Sequence, residues 1–178
     1  MMDKDTAFNI LDRIIGFINN CDNKASVVLG IWGVALVILF TNEGITNLKN
    51  IILTIFEINS FVTAIFFVLL ICFVGLFVAG IIKLISVLFA TTNHETEEEL
   101  ECDSKIYYGD IKKKTYKQYK EKMVSSSEEE LLNDIISQIH INSHICSNKF
   151  LRYNQGIKLS FIGFIGFITL WFIGNFIF

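Results

Sequence analysis

From Phe61 to Ile82 the chain carries no charged residue, and two further apolar runs, Ala25 to Thr41 and Ile157 to Phe178, have comparable length. At 1.5 Å per helical residue, Ala25 to Thr41 covers about 26 Å. That nearly matches a bilayer hydrocarbon core of about 30 Å. Proline is absent, so these helices can run unbroken. Charged residues make up only 19% of the chain, where soluble domains average about 25%. The expected fold is an all-α membrane protein: three transmembrane helices, with a cytosolic helical hairpin between spans two and three.

Taken in order, residues 1–24 read as a cytosolic amphipathic helix, with Phe8, Leu11, Ile14, Ile15 and Ile18 on one stripe. It passes into transmembrane helix 1 at 25–41 with no break. Residues 45–59 carry Lys49 and Glu57 and read as a helix lying in the interface, with Ile45, Leu48, Ile52 and Ile55 on one face. Residues 61–89 form transmembrane helix 2 with a cytosolic extension. Lys83 stands where its stem can stay in lipid and its ammonium reach water. Residues 91–156 are a cytosolic helical sensor region. Within it, Ser127 and Glu130 make a capping box that starts a long helix. Leu132, Ile135, Ile136, Ile139, Cys146, Phe150 and Tyr153 form its apolar stripe. It runs into transmembrane helix 3 at 157–178.

Orientation follows from Lys4, Arg13 and Lys24 in the N-terminal arm, Lys49 alone in the first connection, and the many lysines between spans two and three. The positive-inside rule puts the N terminus in the cytoplasm and the C terminus outside. The expected location is the bacterial inner membrane, crossed several times.

No nucleophile elbow, phosphate-binding loop or dinucleotide fingerprint occurs, and the expectation is that the protein is not an enzyme. A net charge of −3 argues against a nucleic-acid polymer as partner. The four cysteines lack metal-type spacing and read as free thiols. His140 and His144 share a helix face, but no further ligand completes a metal set nearby. The acidic run Glu97 to Glu99 reads as solvated surface.

Two stretches carry more chemistry. Asp22 and Lys24 stand where polar helix meets hydrocarbon, either anchoring the helix end or contacting something on the water side. Tyr107-Tyr108-Gly109-Asp110 precedes Lys112, Lys113 and Lys114. Tyrosine rings stack on bases, ammonium groups hold phosphate, and glycine lets a backbone approach a ligand. The competing reading is a turn whose tyrosines pack on neighbouring helices.

The order of segments then matters. Asp22-Asn23-Lys24-Ala25 opens span one. Ser104-Lys105-Ile106-Tyr107-Tyr108-Gly109-Asp110-Ile111 follows span two. Asp134-Ile135-Ile136-Ser137-Gln138-Ile139 and Asn148-Lys149-Phe150 precede span three. In this order they resemble the transmembrane effector family of Pycsar antiphage systems. Tyr108 stands for that family's usual Phe, and Phe150 for its usual Tyr.

The resemblance implies an effector activated by a cyclic nucleotide, such as cyclic UMP, made by a companion cyclase. It implies that the effector impairs the inner membrane in abortive infection. Residue chemistry and resemblance together give the expected ligand contacts as Asp22, Lys24, Ser104, Tyr107, Tyr108, Gly109, Asp110, Lys112, Lys113, Gln138 and Lys149, with no catalytic residue and no cofactor. The partners expected are the lipid bilayer and further copies of the chain, since three spans cannot line a pore alone. The alternative is a membrane adaptor that anchors a soluble sensor or toxin.

Overall fold

The computed structural model describes residues 3–58, 60–89 and 103–177. Every regular element among them is an α-helix: α1 (Lys4–Leu39), α2 (Asn42–Ile58), α3 (Phe61–Leu88), α4 (Tyr108–Ile111), α5 (Tyr116–Ser125) and α6 (Glu128–Ile177). α1, α3 and α6 are long and apolar enough to cross a membrane, as the three runs predict. The acidic run Glu97 to Glu99 and Cys102 lie outside the described residues.

Local chemistry sets where the helices start. The Asp3 carboxylate accepts the Thr6 N–H at 2.8 Å ahead of α1. The Ser127 hydroxyl accepts the Glu130 N–H at 3.2 Å, and α6 begins at the next residue. Thr115 and Gln118 cap α5 reciprocally: the Gln118 N–H donates to Thr115 Oγ1 at 3.4 Å, and the Thr115 N–H donates to Gln118 Oε1 at 2.9 Å. Each such cap satisfies N–H groups that the first helical turn leaves unpaired.

The chain divides into two compact units. The first comprises the described residues of Met1–Asn20 and Ala90–Lys149, the second those of Cys21–Phe89 and Phe150–Phe178. In the first unit, Ala7 and Leu11 of α1 bury themselves with Ile135 of α6, and Ile106, Leu131, Leu132 and Ile139 pack against them. The expected α1 stripe is therefore rotated, whereas the α6 stripe holds at Leu132, Ile135 and Ile139. Phe8 and Ile15 on α1 are exposed, as is Ile136 on α6. Ala7 takes the interior place beside Ile135 and is fully buried there.

In the second unit, Ile51 and Ile55 of α2 meet Phe66 and Leu70 of α3, with Phe167 and Trp171 of α6 against them. The apolar face of α2 differs from expectation, since Ile51 is buried and Ile45 exposed. Between α3 and α6 the backbones themselves approach. A Cβ on Gly80 would overlap Ser160, and one on Gly163 would overlap the Phe77 backbone. Such close approach suits helix pairs in lipid, where packing replaces the hydrophobic drive. At Gly75, by contrast, nothing lies within 4 Å of an added Cβ.

Trp32 of α1 is buried against Phe161 and Phe164, with ring centroids 4.9 and 4.8 Å away, and against Phe77 at 5.4 Å. Cys21, Ala25 and Val87 form a further cluster with Phe150 and Tyr153. Outward positions such as Val34, Val37, Val68 and Ile165 are apolar and exposed. So large an apolar exterior suits hydrocarbon and not water. Among the described residues Cys72 and Cys146 are free thiols.

Candidate functional site

Ser104 begins the turn that holds most of the candidate residues. Its hydroxyl accepts two backbone N–H groups, from Ile106 at 3.2 Å and Tyr107 at 2.9 Å. This local bonding bends the chain and delivers it into α4. The Ser104 N–H donates in turn to Asp110 Oδ2 at 3.1 Å, which closes the turn. Ser104 is buried, so its hydroxyl is spent on shaping the backbone.

Gly109 has a reason of its own. The Tyr107 ring lies across it, and a Cβ there would stand 2.5 Å from the ring carbon Cε1. The glycine therefore makes room for a tyrosine of the same turn. Tyr107 and Tyr108 lie with ring centroids 4.9 Å apart. Burial, with Tyr108 beside it, pushes the Tyr107 phenol above its usual range. Tyr108 is exposed and presents a ring to solvent.

The turn is tied to α6 by groups far away in sequence. The Lys105 N–H donates to Asp134 Oδ2 at 2.7 Å. Lys105 Nζ pairs with Glu130 at 3.0 Å, and that ammonium holds the Glu130 carboxyl below its usual range. The Tyr119 hydroxyl of α5 donates to the Lys105 carbonyl at 3.0 Å. Asp134 is fully buried, and its Oδ1 has no hydrogen-bond partner among the described residues.

The lysine run is less available to a ligand than its composition suggests. Lys113 pairs with Asp110 at 2.7 Å, and its hydrogen bond lowers the Asp110 carboxyl. Lys114 and Lys122 both grip Asp103, and their hydrogen bonds hold that carboxyl at about 2. Lys112 is exposed.

The structure thus brings Ser104, Tyr107, Tyr108, Gly109, Asp110, Lys112 and Lys113 into one turn of the first unit. Gln138 and Lys149 lie on α6 in the same unit, both buried. Asp22 and Lys24 belong to the second unit, Lys24 exposed on α1. His140 and His144 have ring centroids 4.6 Å apart, and no metal-binding group of three occurs among the described residues. Sequence reasoning missed Asp103, Lys105, Tyr119, Lys122 and Asp134 as parts of this assembly. Only the i,i+3 pair Asp110–Lys113 was open to a spacing argument.

Over residues 6–174 the chain matches the family described as the Pycsar effector protein domain. It is similar to the Pycsar effector protein GmPycTM of Gulbenkiania mobilis, 30% identical across 94% of this chain and 90% of that protein. No solved structure matches it.

Proposed function

We propose, on the premise that this chain belongs to the Pycsar effector family, how it carries out its part as an effector of a Pycsar antiphage system. It is a multi-pass membrane protein, and a cyclic nucleotide made by the companion cyclase activates it. Activation impairs the integrity of the bacterial inner membrane, and the infected cell dies or stalls before phage mature. The chain performs no catalysis of its own and acts as a homo-oligomer.

The observation that carries the nucleotide reading is the exposed Tyr108 ring on a turn followed by Lys112 and Lys113. A base can stack on that ring, and stacking on an aromatic side chain contributes about 1–3 kcal/mol per base. Tyr107 backs the ring, while Ser104, Gly109 and Asp110 hold the turn in shape. Gln138 and Lys149 remain ligand candidates from α6. Isothermal titration of cyclic UMP into the nanodisc-embedded protein tests this reading. Tyr108→Ala should lower affinity about tenfold or more. Wild-type affinity in that variant would remove the turn from the binding site.

Asp22 and Lys24 of the second unit are proposed separately as ligand contacts. A charged hydrogen bond contributes about 1.5–3 kcal/mol, so Lys24→Ala should weaken binding roughly 10- to 100-fold. Unchanged affinity with reduced membrane insertion would instead make Lys24 a helix-end anchor.

Orientation is proposed from the lysine and arginine distribution, with the N terminus and the 91–156 region in the cytoplasm. Asn42→Cys should then react with a membrane-impermeant maleimide from outside intact cells. Glu121→Cys should react only after the inner membrane is opened. The reverse pattern would invert the topology.

A further inference from the structure

Lys114, just after α4, and Lys122, on α5, converge on a single carboxylate, that of Asp103. The two ammonium groups are partly buried, with side-chain exposures of 14% and 28%, whereas the Asp103 side chain is 53% exposed. The carboxylate is therefore the most solvent-exposed member of the trio. Lys114 Nζ also donates to the Asp110 carbonyl at 3.2 Å, and Lys122 Nζ to the Asp103 carbonyl at 2.8 Å. These backbone contacts help to fix both ammonium groups in place.

Asp103 itself sits in the left-handed backbone region, with φ of 83°, the one non-glycine residue with positive φ among those described. Only glycine adopts that region without steric cost, and aspartate tolerates it better than most residues. Exposed ion pairs stabilise a fold little, so the carboxylate can be exchanged for another anion at small cost. Phosphate offers more acceptor oxygens than a carboxylate and forms strong charge-assisted bonds with ammonium groups.

We propose that Lys114 and Lys122 form a phosphate-accepting site that the Asp103 carboxylate occupies as an internal stand-in, so that an incoming phosphate group binds by displacing Asp103. Among the described residues the other charges near this site are Asp110 beside Lys114 and Glu130 near Lys122, which both oppose an anion, and Lys113, which pairs with Asp110 and attracts one. Removing the Asp103 charge takes from Lys114 and Lys122 the carboxylate that they share. The inference rests on the nucleotide reading only for the origin of the phosphate; the site itself follows from the three side chains.

The test uses the full chain in phosphatidylcholine nanodiscs, with inorganic phosphate as probe and the lysine ammonium resonances as readout. Asp103→Asn removes the charge and tolerates the backbone. Asp103→Gly removes the charge and relieves the backbone, which protects the fold. Both should lower the phosphate dissociation constant about tenfold, and adding Lys122→Ala should abolish the gain. Unchanged or weaker phosphate binding in both variants, with melting temperatures at the wild-type value, would overturn the proposal.

Two further arms separate the sources of the phosphate. If soluble nucleotide is the natural source, cyclic UMP should bind the Asp103 variants more tightly in proportion. If a lipid headgroup is the source, phosphatidylglycerol nanodiscs should suppress the gain in phosphate affinity. Tighter phosphate binding without cyclic-nucleotide binding by any variant would uphold the anion site and reject the nucleotide reading.

Discussion

Gly163→Val is expected to drive α3 and α6 apart and to lower the melting temperature of the solubilised protein by about 5 °C or more. The reason is what the new side chain meets. A Cβ at Gly163 would stand 2.7 Å from the Phe73 carbonyl oxygen and the Phe77 Cα, both backbone atoms of α3. A flexible side chain could swing aside, but a helix backbone has to move as a unit. Overpacking of a well-packed site costs about 1–3 kcal/mol, and backbone overlap lies at the upper end. Trp32, packed on Phe161 and Phe164 of α6, reports the change through its fluorescence. Gly75→Val is the control, because nothing lies within 4 Å of a Cβ there. It should melt within about 2 °C of wild type. Equal melting of the two variants would mean that α3 and α6 do not pack at Gly163.

Asp134→Ala is expected to release the Ser104–Tyr107 turn from α6 at a cost of about 1.5–3 kcal/mol. Its carboxylate accepts the Lys105 N–H in a fully buried position. Removing it strands that donor away from water, and an unmade buried hydrogen bond costs more than a made one contributes. Local opening should appear as faster hydrogen exchange at the Lys105 amide, while amides within α3 keep their protection. Asp134→Asn retains an acceptor oxygen in the same place and should restore most of the protection at Lys105. If Asn behaves like Ala, the negative charge matters and not the hydrogen bond. If neither variant changes exchange, the turn is held by the Lys105–Glu130 and Tyr119 contacts alone.

These two positions also mark what was legible in the sequence. The three long apolar helices were readable because hydrocarbon tolerates so few charges that the runs stand out. The start of α6 was readable because Ser127 and Glu130 lie within one local pattern. The same pattern at Thr115 and Gln118 starts α5, but no apolar stripe follows it there to mark a helix in the sequence.

Faces were harder than spans. Scoring residues by hydrophobicity favours Phe8 over Ala7, yet Ala7 is the residue buried in the cluster and Phe8 is exposed. The order Ser104 to Asp110 was recognisable as a family signature, but its physical work was not. Ser104 and Gly109 shape the turn internally, and Lys105 reaches residues more than twenty positions away. No spacing argument links Lys105 to Asp134, because only the fold brings them together. Asp103 escaped for a related reason: one acidic residue has no periodicity, and of its partners Lys114 follows α4 while Lys122 lies on α5.

In the proposed function, a cyclic nucleotide turns a quiet membrane protein into one that impairs the membrane. The most direct measurement is the inner-membrane potential of bacteria carrying this chain, read with a voltage-sensitive dye, with and without the companion cyclase. The chain alone should leave the potential unchanged. Once the cyclase is active and its product is shown to accumulate, the membrane should depolarise within minutes. A steady potential in the presence of accumulated nucleotide would contradict the account.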